Sequence, residues 1–268
     1  MTGTDTAASE TIGTNGGPPR EAPAAPLVSV VIPCLDEAAA IADCVACARE
    51  TLAAARLPGE VIVVDNGSTD ESAQRARAAG ATVVTEPLRG YGNAYRRGFD
   101  AARGRFVVMG DADGSYDFGE LTRFVDALDR GADFVIGTRL RGRIHPGAMS
   151  WVHRYVGNPV LNGLLNAIYG AGISDSHCGM RAFRREDLAR LELRSTGMEL
   201  ASEQVIRSVQ LGLAITELPI DYRPRIGRSK LSPVPDGLRH LRLLVGRAGG
   251  RPPRSVAAER ALMPENER

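Results

Sequence analysis

At 268 residues the chain can bury one substantial core, or at most two small ones. Its 33 lysines and arginines balance 32 aspartates and glutamates, so no global field argues for nucleic acid. Four cysteines, Cys34, Cys44, Cys47 and Cys178, are too few and too irregular for a disulfide framework, which leaves inert thiols in reduced cytoplasm as the expectation.

Residues 1–26 are rich in Gly, Ala, Thr and Pro with no apolar run. They read as a disordered leader, lacking the basic start and apolar core of a signal peptide. Val28–Ile32 is a buried strand, followed by Pro33-Cys34-Leu35-Asp36-Glu37 and an alanine-rich helix to about Ala55. Cys44 and Cys47 fall inside that helix without a second pair, so their spacing carries no metal or redox reading. Glu60–Asp65 is the second strand. It ends in Asn66-Gly67-Ser68-Thr69-Asp70, where Ser68, Thr69 or Asp70 can cap the next helix. Ala81–Val84 is the third strand, and Gly90 to Arg103 the third helix. Phe106–Met109 is a short, fully apolar strand, followed by a helix over Phe118–Arg130 and a strand at Phe134–Gly137. Strands alternating with helices of this length predict a parallel sheet covered on both faces, and right-handed crossovers make it a doubly wound, nucleotide-binding half.

The second half is less regular. Trp151 to Gly170 reads as a helix with a broad apolar face at Val152, Tyr155, Val156, Val160, Leu161, Leu164, Leu165 and Ile168, kinked at Pro159. A helix across Met198 to Leu211 and a strand at Ala214–Leu218 follow. Between Arg223 and Arg254 nine basic residues face one acidic residue, Asp236, the single local charge excess. There Leu238, Leu241, Leu244 and Val245 share a helix with Arg239, His240, Arg242 and Arg247, a pattern suited to an anionic membrane surface. No stretch is long and apolar enough to span a membrane, and the tail from Gly249 reads as loose.

The chemistry centres on Asp111 and Asp113, where the Phe106–Met109 strand ends. Residues two apart on a strand share a face, so both carboxylates can meet one ligand. Two readings stand for a bare pair of this kind: a solvated acidic turn, or a hard divalent cation that also grips a diphosphate. The carboxyl end of a strand in an open α/β sheet is where ligands bind, which favours the second.

The ordered set VSVVIPCLDE, VVDNGSTD, GYGNA, DADGSYD, GTR, DSHCGMRAF, GMELASE and RIGRSKL resembles the inverting family 2 glycosyltransferases, most closely the polyprenyl- or dolichyl-phosphate hexose synthases. The resemblance covers about residues 28 to 245. It implies the GT-A fold, an α/β, Rossmann-like, doubly wound and mostly parallel sheet with helices on both faces, in a domain spanning 27–248. It implies a nucleotide-sugar donor held by Pro33, Glu37, Asp65, Asp111 and Arg181, with Asn66 standing where a second aspartate is common. It also implies Mg2+ or Mn2+ at Asp111 and Asp113, phosphate contacts from Arg139 and Arg143, and an acceptor-side motif at Asp175 and Arg181. Lys230, the single lysine of the chain, lies in a segment that the resemblance places at the mouth of the site. The catalytic set so implied is Asp113, Asp175, Arg139 and Lys230.

The resulting expectation is metal-dependent transfer of a hexose to a polyprenyl phosphate, at a cytoplasmic location with peripheral contact at the membrane face. A phosphate acceptor needs no strong base, whereas a hydroxyl acceptor would need a carboxylate, for which Asp175 and Glu199 are the candidates. The rival is an enzyme of the same fold acting on a soluble small-molecule acceptor. A nucleotidyltransferase would want a glycine-rich basic loop after the first strand, where this chain has Pro33–Glu37. A catalytically dead nucleotide-binding module would be expected to lose the acids at 111 and 113. His177 beside Cys178 has no further ligands in the sequence to make a zinc site.

Overall fold

The computed structural model describes residues 25–227 together with Gly237, Arg239, His240 and 242–244. Residues 1–24, the 228–231 segment with Lys230, the tail from Gly249, and Leu238, Leu241, Val245 and Arg247 lie outside the described residues.

Seven strands form one sheet. They are β1 (Val28–Cys34), β2 (Gly59–Asp65), β3 (Thr82–Thr85), β4 (Phe106–Met109), β5 (Phe134–Ile144), β6 (Arg181–Arg184) and β7 (Ile215–Tyr222). The order is β3-β2-β1-β4-β6-β5-β7. The helices are α1 (Ile41–Ala54), α2 (Ser72–Ala78), α3 (Tyr91–Ala101), α4 (Leu121–Asp129), α5 (Asn158–Tyr169), α6 (Arg185–Arg190) and α7 (Leu200–Gln210). Burial explains why β1 carries no polar alternation beyond Ser29. Val31 and Val64 press on Gly98 of α3, where an added Cβ would lie 2.3 Å from Val31. Val30 and Ile32 point the other way and are equally buried, so both faces of the sheet are covered.

One strand departs from the expected pattern. β6 runs antiparallel between β4 and β5, whereas β1–β2, β2–β3, β1–β4 and β5–β7 are parallel. Its Arg-Ala-Phe-Arg sequence has no strand signature of its own. What holds it is tertiary: Phe183 stacks on Phe134 with ring centroids 4.1 Å apart. β5 and β7 are also longer than their sequences suggest, because each extends along the other past a register shift between Thr138 and Arg143. The expected Phe118–Arg130 helix opens as a single tight turn over Phe118–Glu120, where Asp117 Oδ1 accepts from the Gly119 N–H at 2.8 Å.

The Trp151–Gly170 segment is helical but not one kinked helix. A widened π-type turn over His153–Gly157 runs without a break into α5, directly ahead of Pro159, whose missing N–H interrupts the α-helical ladder there. Gly170 ends α5 in the left-handed conformation. Among the described residues no helix is long and apolar enough to cross a membrane.

Candidate active site

The ends of β1, β2, β4, β5 and β7 meet at the carboxyl edge of the sheet, and every implied site residue among the described ones sits on or beside it. The first two loops are laced together. Asp36 Oδ1 accepts from the Thr69 N–H at 2.7 Å, and the Asp36 N–H donates to Ser68 Oγ. The Glu37 N–H donates to Ser72 Oγ at 2.8 Å, and the Ala38 N–H to Asp70 Oδ2. The small polar residues after β2 therefore brace the Pro33–Glu37 loop, and Asp70 serves the loop instead of a ligand. Asp65 closes the turn by accepting from the Ser68 N–H at 3.1 Å.

Asn66 has a structural job. Its amide donates to the carbonyls of Glu86 and Leu88 at 2.8 and 2.9 Å, and its Oδ1 accepts from the Gly90 N–H. An aspartate could not make the two donations. Gly90 and Gly92 then let the start of α3 touch backbone: an added Cβ at Gly92 would lie 2.2 Å from the Ser195 carbonyl. That approach seats two hydroxyls on the metal-type acid, for Tyr91 and Tyr95 both donate to Asp111 Oδ1 at 3.1 Å. The signal for them was available as tyrosines four apart on one helix face.

Asp111 and Asp113 are placed together as expected. Burial, and after it the neighbouring Asp113, pushes the Asp111 carboxyl up to about 6. Gly179 backs the pocket, since an added Cβ there would stand 2.7 Å from Asp111 Oδ2. Asp113 Oδ1 accepts from the Ser115 N–H at 2.9 Å, and its Oδ2 takes Arg225 Nη2 at 2.6 Å. Two crowded, oxygen-only donors fit a hard cation that would relieve their repulsion. Among the described residues no third His, Cys, Asp or Glu completes a metal cluster. Two carboxylates beside substrate phosphates and water is a usual protein share for Mg2+.

Arg139 and Asp175 form a buried bidentate pair. Arg139 Nε and Nη2 donate to the two carboxylate oxygens at 2.8 Å each, and the Arg139 N–H adds a third bond at 2.9 Å. Burial alone would raise Asp175, but the Arg139 charge and hydrogen bonds outweigh it and hold the carboxyl below its ordinary value. The guanidinium also lies over the Tyr222 ring, 5.1 Å from its centroid. The Thr138–Arg143 register shift falls where β5 must turn this side chain inward. Arg143 is exposed and lies opposite Asp221 of β7.

Arg181 corrects the reading that it contacts the donor. It is fully buried, and its guanidinium donates to the carbonyls of Ser176, Cys178 and Ala201 and to Gln204 Oε1, all within 2.9 Å. It shapes the Ser176–Gly179 turn instead of facing the cleft. Glu203 is also fully buried, accepting from the Arg194 and Ser195 N–H groups, so its face of α7 is not solvated. Glu199, just ahead of α7, accepts from the Gly197 N–H through Oε1, while its buried Oε2 has no hydrogen-bond partner among the described residues. Burial pushes the Cys34 thiol up to about 11 and those of Cys44 and Cys178 to about 12, which agrees with inert cysteines.

His177 faces His240, with Nε2 and Nδ1 3.3 Å apart, and Ser202 Oγ lies 2.8 Å from the same His240 nitrogen. Burial first and His240 second hold His177 well below its usual 6.5; Asp175 opposes them, while Arg139 and Arg181 add to them. The unfolded chain therefore binds the proton more tightly, and folding stability falls as pH drops below about 6.5. The slope is at most about 1.4 kcal/mol per pH unit for one proton. Asp111, raised to about 6, contributes in the opposite sense over the same window, so the loss is read as the difference between wild-type and His177→Gln thermal melts from pH 7.5 to 5.5.

The sequence pattern of Glycosyl transferase family 2 matches residues 29–191. The chain belongs to this family. The family 2 chain is 44% identical over 227 residues to the low-salt glycan biosynthesis hexosyltransferase Agl6 of Haloferax volcanii, covering 84% of this chain and 55% of that protein. It thus spans about half the length of that relative. It is 38% identical over 181 residues to a dolichyl-phosphate hexose transferase of the same organism, covering 66% of this chain and 76% of the other. Among solved structures, glucosyl-3-phosphoglycerate synthase of Mycobacterium tuberculosis, with Mn2+, UDP-glucose and phosphoglyceric acid bound, superposes with TM-score 0.66 at 25% identity. That match covers 85% of this chain and 82% of the other and bears out the α/β fold expected from the motifs.

Proposed function

We propose that this family 2 chain transfers a hexose, with inversion, from a nucleotide-sugar to a polyprenyl phosphate, with Mg2+ or Mn2+ held by Asp111 and Asp113. The observation that carries the acceptor half is Asp175, whose two oxygens are both committed to Arg139. It is poorly placed to take a proton from a hydroxyl. A phosphate monoester arrives already ionised and needs no such help. The relatives named as a dolichyl-phosphate hexose transferase and a polyprenol monophosphomannose synthase support the same acceptor class. The Mn2+ and UDP-glucose of the structural neighbour support the donor and the cation.

In this reading Pro33, Glu37 and Asp65 border the nucleoside, and the laced loops keep them in place before the donor arrives. A bound cation would neutralise charge on the departing nucleoside diphosphate. Arg139 adds a guanidinium held in place by Asp175, and donors fixed beforehand stabilise developing charge more than donors that must reorganise; Arg225 brings a second guanidinium to the same region. Asp175 acts through Arg139 by fixing its orientation. Arg181 supports the turn that carries Asp175.

A hydroxyl on a soluble acceptor is the second reading, favoured by Glu199 Oε2, which is buried and has no hydrogen-bond partner among the described residues. A panel of labelled UDP- and GDP-sugars offered with polyprenyl phosphate and with small soluble acceptors separates the two. Label passing to the lipid phosphate supports the proposal; label passing only to soluble acceptors overturns it.

An exposed apolar stripe supports membrane contact. Trp151, Val152, Tyr155, Val156 and Val160 are 67, 59, 56, 46 and 61% exposed, unusual for side chains of this size. The stripe is anchored beside Asp175: Asn162 of α5 donates to the Ser174 carbonyl at 2.6 Å, and its Oδ1 accepts from the Ser176 N–H. A stripe of this kind suits an interface where a prenyl chain is anchored. Trp151→Glu with Tyr155→Glu should lower binding to liposomes by about tenfold or more, since burying each ring contributes on the order of 1.5–3 kcal/mol. Flotation at low salt reads the effect, and undiminished binding would leave the stripe without a membrane role.

A further inference from the structure

Asp113 is already engaged by the chain itself. The segment after β7 runs antiparallel to Asp113–Asp117 and is tied to it at several points. Tyr222 bridges Tyr116, the Arg223 N–H donates to the Ser115 carbonyl at 3.0 Å, and the Ile226 N–H donates to the Asp113 carbonyl at 2.8 Å. Arg223 Nη2 adds a 2.7 Å bond to Asp117 Oδ2. This strap delivers Arg225 to Asp113 Oδ2 at 2.6 Å, on a carboxylate whose other oxygen is taken by Ser115. With Ser115 on one oxygen and Arg225 on the other, both Asp113 oxygens carry a donor that a cation would have to displace or share the oxygen with. Arg225 Nε is meanwhile buried without a hydrogen-bond partner among the described residues. A buried orphan donor on a guanidinium is costly and marks a side chain that has a better arrangement available to it.

We propose that Arg225 is a positioning residue that makes cation binding depend on the nucleotide. Without donor, its guanidinium serves as the counter-charge for the Asp111–Asp113 pair and competes with a divalent cation for Asp113 Oδ2. An incoming diphosphate offers several charged phosphoryl oxygens, two of which the planar guanidinium fork can engage at once, against the single carboxylate oxygen it holds on Asp113. Arg225 then moves to the phosphates, satisfies its Nε, and vacates the Asp113 oxygen for the cation that the same diphosphate binds. Cation and nucleotide thereby strengthen each other, and the linkage is reciprocal. The site is kept from collecting metal in the absence of substrate, while the two carboxylates are never left facing each other uncompensated. The inference rests on the proposed cation site, and its test reads cation affinity alone.

The experiment titrates Mn2+ by electron paramagnetic resonance into the full chain, with and without UDP or GDP as the probe nucleotide. Nucleotide should tighten Mn2+ binding to the wild type. Arg225→Gln should tighten nucleotide-free Mn2+ binding by about tenfold or more, the scale of a typical coupling between sites. Arg225→Lys, which keeps the charge, should stay near the wild type. A role in folding alone would not strengthen cation binding. Nucleotide-free Mn2+ affinity that is unchanged or weaker in Arg225→Gln overturns the proposal. So does a wild type that binds Mn2+ equally well with and without nucleotide, a result that needs no variant to fold. Mn2+ binding that survives both Asp111→Asn and Asp113→Asn identifies a different failure, that of the cation site itself, and takes the proposal with it.

Discussion

Asp113→Asn is expected to lower sugar transfer by about a thousandfold or more, because a charged ligand at the diphosphate contributes several kcal/mol of transition-state stabilisation. The fold should survive. Asparagine keeps an oxygen for the Ser115 N–H, and Arg225 is about one-third exposed, so it can turn to water when its partner loses charge. A melting temperature close to that of the wild type, with transfer lost, is the expected pair of results. Chelator should abolish wild-type transfer, and added Mg2+ or Mn2+ should restore it. Transfer that persists in Asp113→Asn or in excess chelator would count against a cation at this site.

Asp175→Ala should act mainly on stability. Arg139 is almost wholly buried, and removing its carboxylate leaves a guanidinium without compensation. Breaking a buried pair from one side costs about 3–5 kcal/mol, which for a chain of this size is on the order of 10 °C in Tm. Replacing both partners, Arg139→Met with Asp175→Leu, should recover much of that loss, since an apolar pair of similar volume carries no desolvation penalty. Transfer should not return with it if Arg139 meets phosphate. Calorimetry on the two variants, set beside their transfer rates, separates the structural share of the pair from its chemical share. A stable and fully active double variant would remove Arg139 from the site.

The same distinction runs through the other residues. The Asp111–Asp113 pair was legible because its members lie two positions apart just past the end of β4, and the turn after β2 because its small polar residues act within a few positions. Arg181 matched a motif, yet its side chain is packed into the carbonyls of Ser176, Cys178 and Ala201. Nothing local distinguishes an arginine that reaches a ligand from one that braces a turn. Asn66 posed the same difficulty, and only its three backbone partners show why an amide stands there.

By itself, the sequence determined the alternation of strands and helices, the placement of β1, β2 and β4, and the acids at their ends. These follow from hydrophobic period, turn chemistry and capping, all of which act over a few residues. Tertiary structure decided the rest. β6 is a strand because β4 and β5 leave it two ladders of backbone partners, and its own residues would not select that state. Arg139 meets Asp175 from 36 positions away, and Arg225 meets Asp113 from 112. Contacts that distant are set by how the sheet closes and where the strap after β7 lies, so the charge balance of the site exists only in the folded chain.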